Sequence, residues 1–105
     1  MIDSNKINEI ANKIAAKFNP EKIILFGSYA NGTQDENSDI DLLIIQDTDL
    51  SPQTRGFDIR MSLLGTKMPF DILIYTKREF EQEQADTYSF LNSAIKNSKI
   101  LYERT

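Results

Sequence analysis

Two aspartates stand at the head of the most apolar stretch in the chain, Ser38-Asp39-Ile40-Asp41-Leu42-Leu43-Ile44-Ile45. A short run of bulky aliphatic residues reads as a buried strand from Ile40 to Ile45. Side chains alternate across a strand, so Asp39 and Asp41 share one face. Ile40, Leu42 and Ile44 then turn to the other face, onto helices. Like charges about 7 Å apart along one strand face repel unless a cation lies between them. Oxygen ligands with open positions suit magnesium, which takes one or two carboxylates and completes its shell with substrate phosphates. The plainer reading makes each aspartate a solvated turn residue or helix cap. The paired spacing on an apolar strand tips the balance towards metal.

The same oddity recurs downstream, where Asp71 opens Phe70-Asp71-Ile72-Leu73-Ile74-Tyr75. If this strand lies beside the first, Asp71 completes a triad of carboxylates at one end of a sheet. Such a triad could hold two metal ions, with Asp71 as the proton acceptor. The chain has no histidine and no cysteine. The usual general base, the commonest zinc ligand and the thiolate nucleophile are thereby excluded, and any catalysis must run on carboxylates, hydroxyls, lysines or a bound ion. A net charge of -4 argues against direct capture of nucleic acid, which needs a basic face.

Around these strands the pattern alternates. Ile7, Ile10, Ala11, Ile14, Ala15 and Phe18 recur at helical spacing, with Asp3 or Ser4 as cap and Asn19-Pro20 as stop. Lys22 to Phe26 reads as a strand ended by Gly27, and residues 27 to 38 as a loop with one helical turn. A helix is expected after Ser51-Pro52, with Phe57, Met61 and Leu64 as its apolar face and Gly65 as its stop. Thr76-Lys77-Arg78-Glu79 has capping-box spacing. A last helix carries Phe90, Leu91, Ala94 and Ile95, with Ile100 to Tyr102 extended after a break. Ile2, Phe80, Tyr88 and Tyr102 fit either core or interface, with core the expected place for each. Three short strands among helices give an expected fold class of α+β (or α/β), in a single domain over residues 1–105. The longest apolar run is too short to cross a bilayer and no secretory signal is visible, so a soluble, cytoplasmic domain is expected.

Gly27-Ser28 follows the first strand directly, and a glycine there lets backbone N–H groups approach a phosphate. Taken alone, Gly-Ser is an ordinary tight turn, and no Walker-type lysine follows. Taken with Gly32, Ser38 and Asp39-x-Asp41, however, the stretch from Leu25 resembles the signature of polymerase-β-type nucleotidyltransferases. It is most similar to the minimal, MNT-like branch. The resemblance implies a mixed sheet with helices on one face and the acids on the open face. It implies that Asp39 and Asp41 bind two magnesium or manganese ions. Asp71 would ligate one of them and help activate the acceptor, and Gly27 and Ser28 would hold the triphosphate of ATP. Ser38 is expected to support the loop. Asn31 departs from the arginine that many relatives carry before the second glycine.

The small stand-alone branch resembles antitoxins paired with helical HEPN-type toxins, in which AMP is transferred from ATP to a toxin tyrosine. The expectation is therefore adenylylation of such a partner. The alternatives are a non-catalytic antitoxin that blocks the partner sterically, and transfer to a small molecule such as an aminoglycoside.

Overall fold

The computed structural model describes residues 2–104. Helix α1 spans Ser4–Phe18, opened by the Asp3 carboxylate, which accepts from the Asn5 amide at 2.7 Å. It closes at Asn19 in the left-handed region, just before Pro20. Strand β1 is Lys22–Phe26, helix α2 Ser28–Asn31 and strand β2 Ile40–Ile45. Helix α3, Phe57–Leu63, is followed by a 3-10 turn over Leu64–Thr66 and by strand β3, Phe70–Tyr75. Helices α4, Lys77–Ala85, and α5, Phe90–Ala94, lead through a second 3-10 turn, Ile95–Asn97, to strand β4, Lys99–Glu103.

The four strands form one mixed sheet in the order β3-β2-β1-β4. Strand β1 runs antiparallel to both β2 and β4, while β2 and β3 are parallel. The segment expected only as extended, Ile100 to Tyr102, is thus a fourth strand, joined to β1 across a bulge at Ile23/Ile24.

Alternation in the strands divides the interior in two. Ile23, Leu25, Ile40, Leu42, Ile44, Ile72 and Ile74 pack under α1 and α3. On the opposite side Ile24, Phe26, Leu43 and Ile45 meet Leu91, with Phe80, Ala94 and Ile95 beside them. The mixed sheet is as expected, but helices are not confined to one face. Helices α4 and α5 shelter part of the acid-bearing side, because Leu91 and Phe80 need apolar cover of their own.

Helix α3 corrects a sequence expectation. Its buried residues are Ile59 and Leu63, whereas Phe57, Met61 and Leu64 are 65%, 51% and 67% exposed. Residues 52–56 form turns, and the helix begins only after Gly56. Tyr88 also leaves the core, at 97% exposed. Ile2, Phe80 and Tyr102 do pack against it.

Arg55 was silent in the sequence and is 6% exposed. Its guanidinium donates twice to Leu50 O, at 3.1 and 2.9 Å, once to Ile74 O at 3.3 Å, and to Glu79. Glu79 completes the expected capping box with Thr76. One side chain thereby ties the loop after β2 to the end of β3 and the start of α4. The Arg55 hydrogen bond, foremost, holds the Glu79 carboxyl below its usual range. A depressed carboxyl stabilises the fold above its unfolded pKa, and that contribution is lost as pH falls through the folded value. Arg55→Ala strands two carbonyls and a half-solvated carboxylate, so we expect a loss of about 2–4 kcal/mol in urea unfolding. A loss within about 0.5 kcal/mol would show the cluster to be dispensable.

Candidate active site

Parallel pairing of β2 with β3 sets Asp41 directly beside Asp71. Neighbouring strands lie about 4.8 Å apart, so the two acids begin from adjacent backbone positions. Asp39 precedes the first residue of β2 and is exposed, as is Asp71, while Asp41 is partly buried. Burial, first, and then the charges of Asp71 and Asp39 push the Asp41 carboxyl above its ordinary range. All three acids therefore contribute to one local field. Among the described residues, no three acidic side chains close on a common point as a ready metal cluster. The donors are hard oxygens gathered at one sheet end, with Asp41 destabilised by its neighbours' charge. That chemistry fits magnesium or manganese better than any softer ion.

Gly27 explains part of the crowding. Its φ is +73° and its ψ -155°, a region that essentially only glycine occupies. A Cβ built there would overlap the Asp41 carboxylate. Glycine is thus required first by the acid opposite it, across the Phe26–Asp41 register of β1 and β2. Ser28 opens α2 and is partly buried. The Ser38 hydroxyl accepts from the Asp35 amide at 2.9 Å and donates to its carboxylate at 3.3 Å, so it braces the loop as expected. The Asn31 side-chain carbonyl accepts from Thr33 Oγ1 at 2.6 Å, which leaves the amide NH₂ as a donor.

A cavity of about 580 Å³ joins these parts. The sheet contributes Phe26, Asp41, Asp71, Leu73 and Tyr75, and the turn after β1 contributes Gly27 and Asn31. The remaining wall comes from α5 and the turn beyond it, through Phe90, Ser93, Ala94 and Asn97. Asp39 and Ser28 lie outside its lining. Burial, followed by the charges of Glu83 and Glu79, raises the Tyr75 hydroxyl above its usual pKa. A second cavity, of about 530 Å³, lies between α1 and the end of α3 and has no acid in its lining. Of its lysines, Lys6 and Lys13 pair with Glu9. The first cavity is the one with chemistry in it.

Sequence reasoning missed the α5 wall. The pattern places Phe90, Leu91, Ala94 and Ile95 on one helix without dividing them, yet Leu91 is 1% exposed and Phe90 60%. Adjacent apolar residues in a helix point about 100° apart, and spacing alone does not say which one looks into a cleft.

A family model described as polymerase β nucleotidyltransferase matches residues 5–105. The chain belongs to that family. The transferase is 33% identical to a Methanocaldococcus jannaschii protein provisionally named a protein adenylyltransferase, over 97% of this chain and 100% of that one. Among solved structures, a provisionally named nucleotidyltransferase from Sulfolobus solfataricus superposes with a TM-score of 0.65 at 20% identity. The match covers 93% of the transferase and 78% of that chain. A toxin–antitoxin complex with AMP-PNP matches with a TM-score of 0.60 at 23% identity, covering 99% and 76% of the two chains. These structural likenesses carry the fold. No helix among the described residues is long and apolar enough to cross a membrane.

Proposed function

We propose that this transferase moves AMP from ATP to a hydroxyl of a partner protein, a tyrosine of a helical HEPN-type toxin, and thereby acts as an antitoxin. The observation that carries the nucleotidyl step is the Asp41–Asp71 pairing at the mouth of a cavity that also holds Gly27. The protein acceptor rests on the 33% identity to a protein of that provisional name, aligned over its whole length. The toxin rests on the fold shared with a toxin–antitoxin complex.

In this reading Gly27 lets the triphosphate approach the backbone at the start of α2. Asp39, Asp41 and Asp71 would hold divalent ions, which when bound neutralise the triphosphate and lower the pKa of the attacking hydroxyl. The acceptor oxygen attacks the α-phosphorus, the bond to the β-phosphate breaks and pyrophosphate leaves. Asp71, exposed at the rim, takes the acceptor's proton. The transferase, magnesium and the purified toxin are incubated with ATP labelled at either the α- or the γ-phosphate. Label should reach the toxin from the α position only, and a chelator should abolish it. Transfer of the γ label would make the enzyme a kinase, and no transfer of either would remove the proposed activity.

A further inference from the structure

The α5 wall of the cavity carries a combination that the acids do not explain. Phe90 is a large apolar ring, 60% exposed. It meets Phe26 edge-on, with centroids 6.2 Å apart and planes at 81°, a geometry that anchors a ring while leaving a face free. Helical spacing places Ser93 and Asn97 one and two turns further along the same wall. Among the described residues neither side chain is held by a hydrogen bond to the protein. Their neighbours are tied down: the Asn92 amide donates to Gln84 O at 2.7 Å, and the Ser98 hydroxyl to Ile95 O at 2.8 Å. On the α5 wall, Ser93 and Asn97 at the cavity are thus free to bind, while Asn92 and Ser98 are used by the fold.

We propose that Phe90 and Asn97 form an adenine subsite, with the Phe90 ring as stacking platform and the Asn97 amide reading the base edge. This rests on the nucleotidyl-transfer reading of the same cavity. Every base has a π-face, so stacking supplies affinity without choosing among bases. An asparagine amide presents one donor and one acceptor side by side. That pattern pairs with the N6–H donor and N7 acceptor of adenine and mismatches guanine, which presents two acceptors there. The cavity's acid end takes the phosphates, and its α5 wall takes the base.

The test uses the whole chain with magnesium and measures calorimetric binding of ATP, GTP and inorganic tripolyphosphate, which has no base. Phe90→Ala should weaken ATP by roughly 5- to 100-fold, the range expected for one stacked base, and leave tripolyphosphate unchanged. Phe90→Tyr should restore ATP binding. Asn97→Ala should narrow the gap between ATP and GTP. Because Phe90 and Asn97 are both exposed, these changes spare the core, and native circular dichroism is the control. If wild type binds tripolyphosphate as tightly as ATP, or if Phe90→Ala weakens both equally, the adenine subsite is wrong while the transferase reading stands. If wild type binds neither ligand, the phosphate site and the subsite fall together.

Discussion

Asp41→Asn should abolish transfer and at the same time make the metal-free protein more stable. Asp41 is the partly buried member of the acid group, and burial with the Asp71 and Asp39 charges already raises its carboxyl. A raised folded-state pKa means that the neutral form is favoured by the fold. Its stabilising effect is present below the unfolded pKa and is lost as pH rises through the folded value. At neutral pH the ionised carboxylate therefore costs stability, and an amide of the same shape removes that cost. The expected gain is about 0.5–1 kcal/mol, a rise of a few degrees in Tm measured in chelator. The gap between the two proteins should close as pH falls through and below the ordinary aspartate value of about 3.9, because Asp41 then becomes protonated in both states. Single-turnover transfer with magnesium should fall about a hundred- to a thousandfold, the scale set by losing one element of electrostatic stabilisation at a reacting centre. A variant that melts lower than wild type at neutral pH would show that the fold compensates the Asp41 charge in some other way.

This conflict between charge and burial is why β2 was so legible. A sequence that places charge at the head of Ile40–Ile45 breaks a local rule, and functional sites are where such breaks are expected. Strand alternation then fixed which residues met α1, and Ile40, Leu42 and Ile44 lie against it as expected. The adjacency of Asp41 and Asp71 was conditional on β3 lying beside β2, which no local signal in either strand decides. The parallel register supplies it.

Helix α3 was misread because two stripes compete on it. Phe57, Met61 and Leu64 have helical spacing, and so do Ile59 and Leu63. Periodicity detects a helix but does not rank two apolar stripes, and it is the stripe of Ile59 and Leu63 that the fold buries. The buried arginine itself had no signature, since a charged residue among polar turns normally reads as solvated. Likewise β4 was visible only as an extended tail, because its bulged pairing with β1 joins residues far apart in the chain. The turn after β1 was legible as glycine chemistry, but for a different immediate reason. Gly27 leaves room for the Asp41 carboxylate before it leaves room for any ligand.

On the proposed mechanism Asp71→Asn separates catalysis from binding, and it should spare partner association while transfer collapses. Asp71 is exposed on β3 beside Asp41, so replacing it hollows no core and asks little of the fold. The amide keeps the side chain's shape but loses both the negative charge and the basicity that the acceptor hydroxyl needs. Loss of a positioned general base costs roughly a hundred- to ten-thousandfold, and weakened hold on a divalent ion would add to that. The variant is co-expressed with the toxin, and growth, complex formation and intact toxin mass are recorded together. With adenylylation as the mechanism, the complex still forms, the adenylyl mass gain disappears and growth is lost. Asp71→Glu restores the charge at a longer reach and should recover part of the mass gain, which a purely structural role for Asp71 would not produce. Rescue of growth by Asp71→Asn without any adenylyl group on the toxin would mean that neutralisation works by occlusion. The acids would then serve some other transfer, and the protein acceptor would be the part of the proposal to abandon.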